Sequence, residues 1–371
     1  VGLFGYITST APDINDLGMI DSNLIGNDYV GGITGRNGTV NNSYNTGTIT
    51  GRNYIGGING AAGIINNSYN AGTVNGSNTT GGINGSRGTV NNSYNTGTVN
   101  GASQKTGGIV GAYGTINNSY NEGTINGAAA YVGGINGYYG TINNSYNTGT
   151  VTSGPGPVGG INGTNGIITN CYNTGIVSGG IRIGGINGQS GTVTNSYNTG
   201  AVTGATREVG GISGWQGTVT NSYNTGTISG GFDVGGIIGE SSTTVTNSFS
   251  TGTVIASSDV NGLIGTNTGT IINLYWADLN ASDDAISCEP LGTDANCTYL
   301  DDTNYTQLYA STTDLYDTVL PVWDANWVWS GSAYPTLSWE PLSLGWVAQN
   351  TSTGLDANLV AYYKFDYKIG T

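Results

Sequence analysis

Gly81-Gly82-Ile83-Asn84-Gly85-Ser86-Arg87-Gly88-Thr89-Val90-Asn91-Asn92-Ser93-Tyr94-Asn95-Thr96-Gly97-Thr98-Val99 is one complete statement of a phrase that runs through most of this 371-residue chain. Its opening doublet recurs at Gly31, Gly56, Gly81, Gly107, Gly133, Gly159, Gly184, Gly210 and Gly235, with Asn261-Gly262 last, and every spacing is 25 or 26 residues. An aromatic keeps the same phase from Tyr44 to Tyr275, with Phe249 in the ninth place. A fixed period of this length marks stacked units that share a core, because a unit so poor in apolar residues cannot fold alone.

The unit is not helical. Glycine costs about 1 kcal/mol relative to Ala in a helix interior, and the chain holds 67 glycines. Short β-branched pieces between Gly and Asn turns read as strands. Three apolar columns can be followed: Val40 to Ile271, Ile49 to Val254, and the Ile after each doublet from Ile33 to Ile237, with Leu263 last. The expectation is an all-β fold, a parallel β-solenoid (β-helix) of about ten coils over residues 1–275. Three short faces would surround a thin, dry core, with glycine serving the turns. At about 4.8 Å per coil, such a stack rises roughly 45–50 Å.

One position is Asn in every coil: Asn42, Asn67, Asn92, Asn118, Asn144, Asn170, Asn195, Asn221, Asn247 and Asn273. Identical amides in register hydrogen-bond along the column, and Asn tolerates the left-handed turn conformation. A structural ladder is expected there.

Charge divides the chain. Residues 1–273 carry nine acidic and six basic side chains, whereas 274–363 carry twelve acids and no Lys or Arg. A boundary is therefore placed near 275, with residues 276–340 as an acidic, Trp-rich C-terminal cap and 341–371 as an extended tail. The net charge of −14 argues against nucleic acid as a partner. No apolar run is long enough to span a membrane, and no secretory signal is present. Val1 lies already inside a repeat, which suggests a processed form or a fragment. Residues 6–28 read as a longer connection. Cys288 and Cys297 are expected to form a disulfide in an extracellular setting, while Cys171 stands alone.

Gly2-Leu3-Phe4-Gly5 and Gly262-Leu263-Ile264-Gly265 resemble the Gly-Leu-hydrophobic-Gly core of the GLUG-motif repeat family of bacterial surface proteins. The middle coils vary it, as in Gly57-Ile58-Asn59-Gly60, and the Asn-Ser-Tyr-Asn-Thr-Gly phrase is also similar to that family. The segment through Tyr334-Pro335-Thr336-Leu337-Ser338-Trp339 is similar to the piece that closes such arrays. Asn358-Leu-Val-Ala-Tyr-Tyr-Lys-Phe-Asp366 is similar to the opening strand of laminin-G-like domains. The resemblance implies a secreted or cell-surface location and an adhesive role, and it implies no active site.

Candidate chemistry is sparse. The loop after each G-x-x-G core varies freely, which places Tyr113, Tyr138, Tyr139 and Trp215 along one edge as candidate ligand-binding aromatics. Asp278, Asn280, Ser282 and Glu289 have the oxygen spacing of a calcium loop, so Ca²⁺ is the one candidate cofactor, although Asp283 stands where such loops need Gly. Glu208, Asp233 and Asp259 fall in one column two residues before the doublet. The variety in that column reads as a solvated outer position. Thr-Gly-Thr recurs from Thr46 to Thr253 as two outward hydroxyl rows, interrupted by Ala71, Glu122, Ile176 and Ala201, a pattern that suits an ice-binding face. With no His and no paired acid and base, an enzyme is not expected. A surface stalk or adhesin module is expected first, touching surface glycans or proteins. A filament built by head-to-tail docking of copies is the alternative, and a carbohydrate-active solenoid enzyme is a more remote one.

Overall fold

The computed structural model describes residues 1–8, 12–128, 130–258, 260–277, 297–300, 327–328 and 336–339. The chain divides into two units, one ending at Tyr305 and one beginning at Thr306. The repeats belong to the first. No helix occurs among the described residues, and the repeats pair in parallel as a β-solenoid with the register that the period dictates. Val40 faces Ile65, Ile65 faces Val90, and Val90 faces Ile116.

Two continuous sheets form, where three faces were expected. Strands such as Thr34–Arg36, Thr39–Asn41 and Tyr44–Asn45 join sheet A, and Thr48–Thr50 and Asn53–Gly56 join sheet B. A fourth column also points inward, the residue just before the doublet. Val30, Ile55, Thr80, Val132, Val158, Ile183, Val209 and Val234 are fully buried. The core is correspondingly two apolar strips. One combines the Ile33 and Val40 columns, and the other combines the Val30 and Ile49 columns.

A second Asn column lies between the strips. Asn45, Asn70, Asn95, Asn121, Asn147, Asn173, Asn198 and Asn224 are wholly shielded from solvent. Asn70 Nδ2 donates to Asn95 Oδ1 at 2.8 Å and to the Gly72 carbonyl at 3.0 Å, while Asn70 Oδ1 accepts from Asn45 Nδ2 at 2.8 Å. Satisfying each amide within the column removes the penalty of about 1–3 kcal/mol that an unpaired buried polar group carries.

These amides explain the doublet. A Cβ built on Gly57 would lie 2.6 Å from Asn70 Cγ, and one built on Gly56 would lie 2.7 Å from the Gly85 nitrogen. The two sheets thus meet at the doublet with no room for a side chain, so the glycines supply clearance rather than the turn conformation expected of them. The left-handed corners fall on other residues, including Tyr29 (φ 53°), Asn37 (φ 61°) and Asn42 (φ 48°).

Apart from the two apolar strips, Tyr44, Tyr69, Tyr94, Tyr120, Tyr146, Tyr172, Tyr197, Tyr223 and Phe249 stack face to face, with centroids 5.1 Å apart for Tyr44–Tyr69 and 4.8 Å for Tyr146–Tyr172. Of these, Tyr146, Tyr197, Tyr223 and Phe249 are buried. Burial pushes the Tyr120 and Tyr172 hydroxyls well above the usual phenol range. Residues 14–25 form a further rung, where residues 6–28 were expected only as a longer connection: Ile14 faces Val40, Gly18 faces Tyr44 and Leu24 faces Ile49. At the other end Trp276 faces Ser250, taking the slot of the buried Asn column above Gly262, and parallel pairing continues to Cys297–Leu300. In the second unit, Trp327–Val328 pairs antiparallel with Thr336–Leu337.

Candidate functional site

The edge where the chain passes from sheet B to sheet A carries the candidate site. Gly31 to Gly35 make this passage in backbone contact, since a Cβ on Gly35 would lie 2.9 Å from the Tyr29 carbonyl oxygen. With nothing between the two strands, the side chains at positions 29 and 36 of the phrase project side by side. Up the stack the Tyr29 column meets either the Arg36 column, seven residues on, or the neighbouring Asn37 column, which holds Tyr113. Arg36 lies over the Tyr29 ring at 5.1 Å, and Lys105 lies over Tyr113 at 5.4 Å. Tyr131 and Tyr138 have centroids 5.0 Å apart.

Two patches result. In the first, Tyr113 meets Tyr138 edge-on at 5.4 Å and Tyr139 at 6.0 Å, and Tyr138 meets Tyr139 at 4.6 Å. Lys105 Nζ stands 4.5 Å from the Tyr138 centroid, and Arg87 stands 5.9 Å from Tyr113. Tyr113 and Tyr139 are each 46% exposed. Burial lowers the Lys105 pKa, and burial together with the neighbouring tyrosines raises that of Tyr138. Both Tyr113 (φ 58°) and Tyr139 (φ 44°) sit in the left-handed region, an uncommon place for a bulky residue.

The second patch is built on Trp215. The structure brings Tyr113, Tyr138 and Tyr139 together but leaves Trp215 three rungs away, along the register Tyr138, Thr164, Gln189, Trp215. Arg182 lies 4.3 Å over the indole, donates from Nη1 to Gln189 Oε1 at 3.0 Å and pairs through Nε with Glu208 Oε2 at 2.6 Å. Arg207 approaches Glu208 at 3.3 Å. Glu208 is 1% exposed, so the column that reads as solvated includes a buried carboxylate clamped by two arginines. Asp233, one rung on, accepts from the Thr266 hydroxyl at 2.6 Å. The third acid, Asp259, lies outside the described residues.

The expected Asn column forms corners with inter-rung amide bonds, as from Asn67 Nδ2 to Asn42 Oδ1 at 3.3 Å and from Asn273 to Asn247 at 2.9 Å. Asn92, Asn118, Asn144, Asn170, Asn195 and Asn221 share that left-handed conformation. The calcium-loop set Asp278, Asn280, Ser282 and Glu289 lies outside the described residues, and so does Cys288, the expected partner of Cys297. Among the described residues no three His, Cys, Asp or Glu side chains gather as a metal site, and no helix is long and apolar enough to cross a membrane. Cys171 is buried with a free thiol whose pKa burial pushes up to about 12. Thr48 and Thr73 stand in register on sheet B, and the exposed Ile176 interrupts their row.

Lys105, Tyr131 and Arg182 are site residues that sequence reading passes over, because they precede the doublet while the variable loop follows it. The recurring seven-to-eight-residue offset was the available signal. The chain matches no family model, and no curated protein or solved structure gives a significant match.

Proposed function

We propose that the solenoid is a rigid scaffold that displays an adhesive edge, and that the Tyr113–Tyr131–Tyr138–Tyr139 patch binds the apolar faces of sugar rings. The observation that carries this reading is convergence: four rings from two adjacent rungs meet at one exposed place. Three of them, Tyr113, Tyr131 and Tyr139, hold a backbone conformation that costs an ordinary L-residue about 1–2 kcal/mol. Strain kept at exposed aromatic positions is a pointer to function, because stability alone would favour Gly or Asn there. Tyrosine suits saccharides, offering an apolar face and a polar tip. The interlocked Asn and Tyr columns supply the stiffness that a stalk or adhesin module needs. A secreted or cell-surface setting is part of the proposal and rests on the resemblance to surface repeat proteins.

Adhesion is favoured over catalysis because the sequence holds no His and the buried carboxylate Glu208 is already paired with two arginines. A glycan array probed with the wild-type chain and with Tyr113→Ala/Tyr138→Ala tests the reading. Retained glycans whose signal drops at least tenfold in the double variant support it. An identical profile for both proteins removes it.

A further inference from the structure

The net charge conceals a local reversal. Between residues 29 and 207 the chain has six basic residues (Arg36, Arg52, Arg87, Lys105, Arg182, Arg207) and one acid, Glu122, so six less one leaves +5. The acids that make the chain negative fall before and after this span. The bases are also gathered in space. Arg36, Arg87, Lys105 and Arg182 each lie over an aromatic ring of the edge. Arg207 adjoins the edge through Glu208, and Arg52 approaches Asp28 beside Tyr29 at 3.9 Å. Glu122 belongs to the threonine row on another face.

Arg36 and Arg87 are exposed. Neither they nor Lys105 have an ion pair among the described residues. Rings offer a cation only a partial substitute for water, worth about 0.5–2 kcal/mol, and Lys105 is already partly stripped of solvent. An anion brought to this edge would meet charges that no carboxylate of the chain neutralises.

We propose that the ligand of this edge is an acidic polysaccharide lying along the solenoid axis, its sugar rings on the tyrosines and its carboxylates against Arg36, Arg87 and Lys105. This rests on the adhesive reading above and narrows its ligand class. By register, Arg36, Arg87 and Lys105 occupy the first, third and fourth rungs of the repeat. Neighbouring cations are therefore spaced by roughly 5–10 Å at about 4.8 Å per rung. That density suits a chain with widely spaced carboxylates. Duplex DNA, with one charge per about 1.7 Å, calls for a far denser stripe.

Binding to hyaluronan, neutral dextran and a single-stranded DNA oligonucleotide at low and high salt tests this. The variants are Arg87→Ala/Lys105→Thr and Tyr138→Ala. Ala62 and Thr79 already occupy the columns of the two replaced bases, so the double variant is expected to fold. Hyaluronan is expected to bind in preference to dextran and DNA, to weaken at least tenfold in the double variant, and to weaken with salt as a screened interaction does. Equal binding of dextran, lost only in Tyr138→Ala, would leave the adhesive edge standing and overturn its acidic specificity. DNA binding as strong as hyaluronan binding would also overturn it. No effect of Tyr138→Ala on any bound ligand would count against the edge itself.

Discussion

Lys105 points its ammonium at the face of Tyr138, 4.5 Å from the ring centroid, and so sits between that ring and Tyr113. A lysine in this position is fixed in direction and partly dried, which is what lowers its pKa. Removing the ring reverses both effects. In Tyr138→Ala the Lys105 pKa is expected to move back up toward the ordinary lysine value of 10.5, as read by NMR titration of the lysine side chain. An unmoved titration would mean that the ring does not desolvate the amine.

Glycine and left-handed corners make opposite predictions. A Cβ on Gly134 would press on the Gly160 carbonyl and lie 2.6 Å from Asn147 Cγ, so Gly134→Ala is expected to destabilise by about 3 kcal/mol through overpacking. Ala62 has φ 50°, so Ala62→Gly should relieve strain and stabilise by about 1 kcal/mol. Gly5, with nothing near its absent Cβ, should tolerate Ala with little change. Denaturant midpoints in the three variants order these effects.

The amide columns can be cut or repaired. Asn121→Ala would remove the partner of Asn147 Oδ1 at 2.7 Å and one of the two acceptors of Asn95 Nδ2, at 2.8 Å, leaving the Gly97 carbonyl as the other, at a cost of about 2–4 kcal/mol for the lost amide bonds. A third Asn column, through Asn59, Asn84, Asn136 and Asn162, is broken by Val110, which faces Asn136 and leaves Asn136 Oδ1 without a partner. Val110→Asn is expected to close that gap and raise the melting temperature. A fall of several degrees would show that the apolar strip needs the valine more than the ladder needs the amide.

The period, the Val40, Ile33 and Ile49 columns and the Asn42 corners were all legible, because each rests on residue types that keep one phase. The Asn45 column was not. Asn42 and Asn45 share one six-residue phrase, and nothing in their chemistry says which turns outward and which is buried between the sheets. The Val30 column hid for a different reason. A left-handed residue ahead of it breaks strand alternation, and Thr80 and Thr106 weaken its apolar signal. The candidate edge was half visible: its aromatics showed in the variable loop, while Lys105, Tyr131 and Arg182 belong to the strand that the doublet folds back beside it.

Alkaline pH should melt the stack from its tyrosines. Burial raises the folded-state pKa of Tyr120, Tyr172 and Tyr275 from 10.0, to about 12 for Tyr275. The folded state therefore holds protons that the unfolded chain releases. Stability from these groups is complete below pH 10 and falls as pH rises from 10 through 12. Unfolding followed with tyrosinate absorbance is expected to be flat with pH up to about 10 and to steepen above it. A stability that rises across that window would contradict the buried stack.

Amide hydrogen exchange with and without a saturating glycan ligand tests the adhesive edge most directly. Added protection is expected at residues 104–115 and 130–140, which carry Lys105, Tyr113, Tyr131, Tyr138 and Tyr139, with no change along the Asn42 corner. Protection centred on the Asn42 corner or on the Thr48 row, with the tyrosine edge unchanged, would contradict the account.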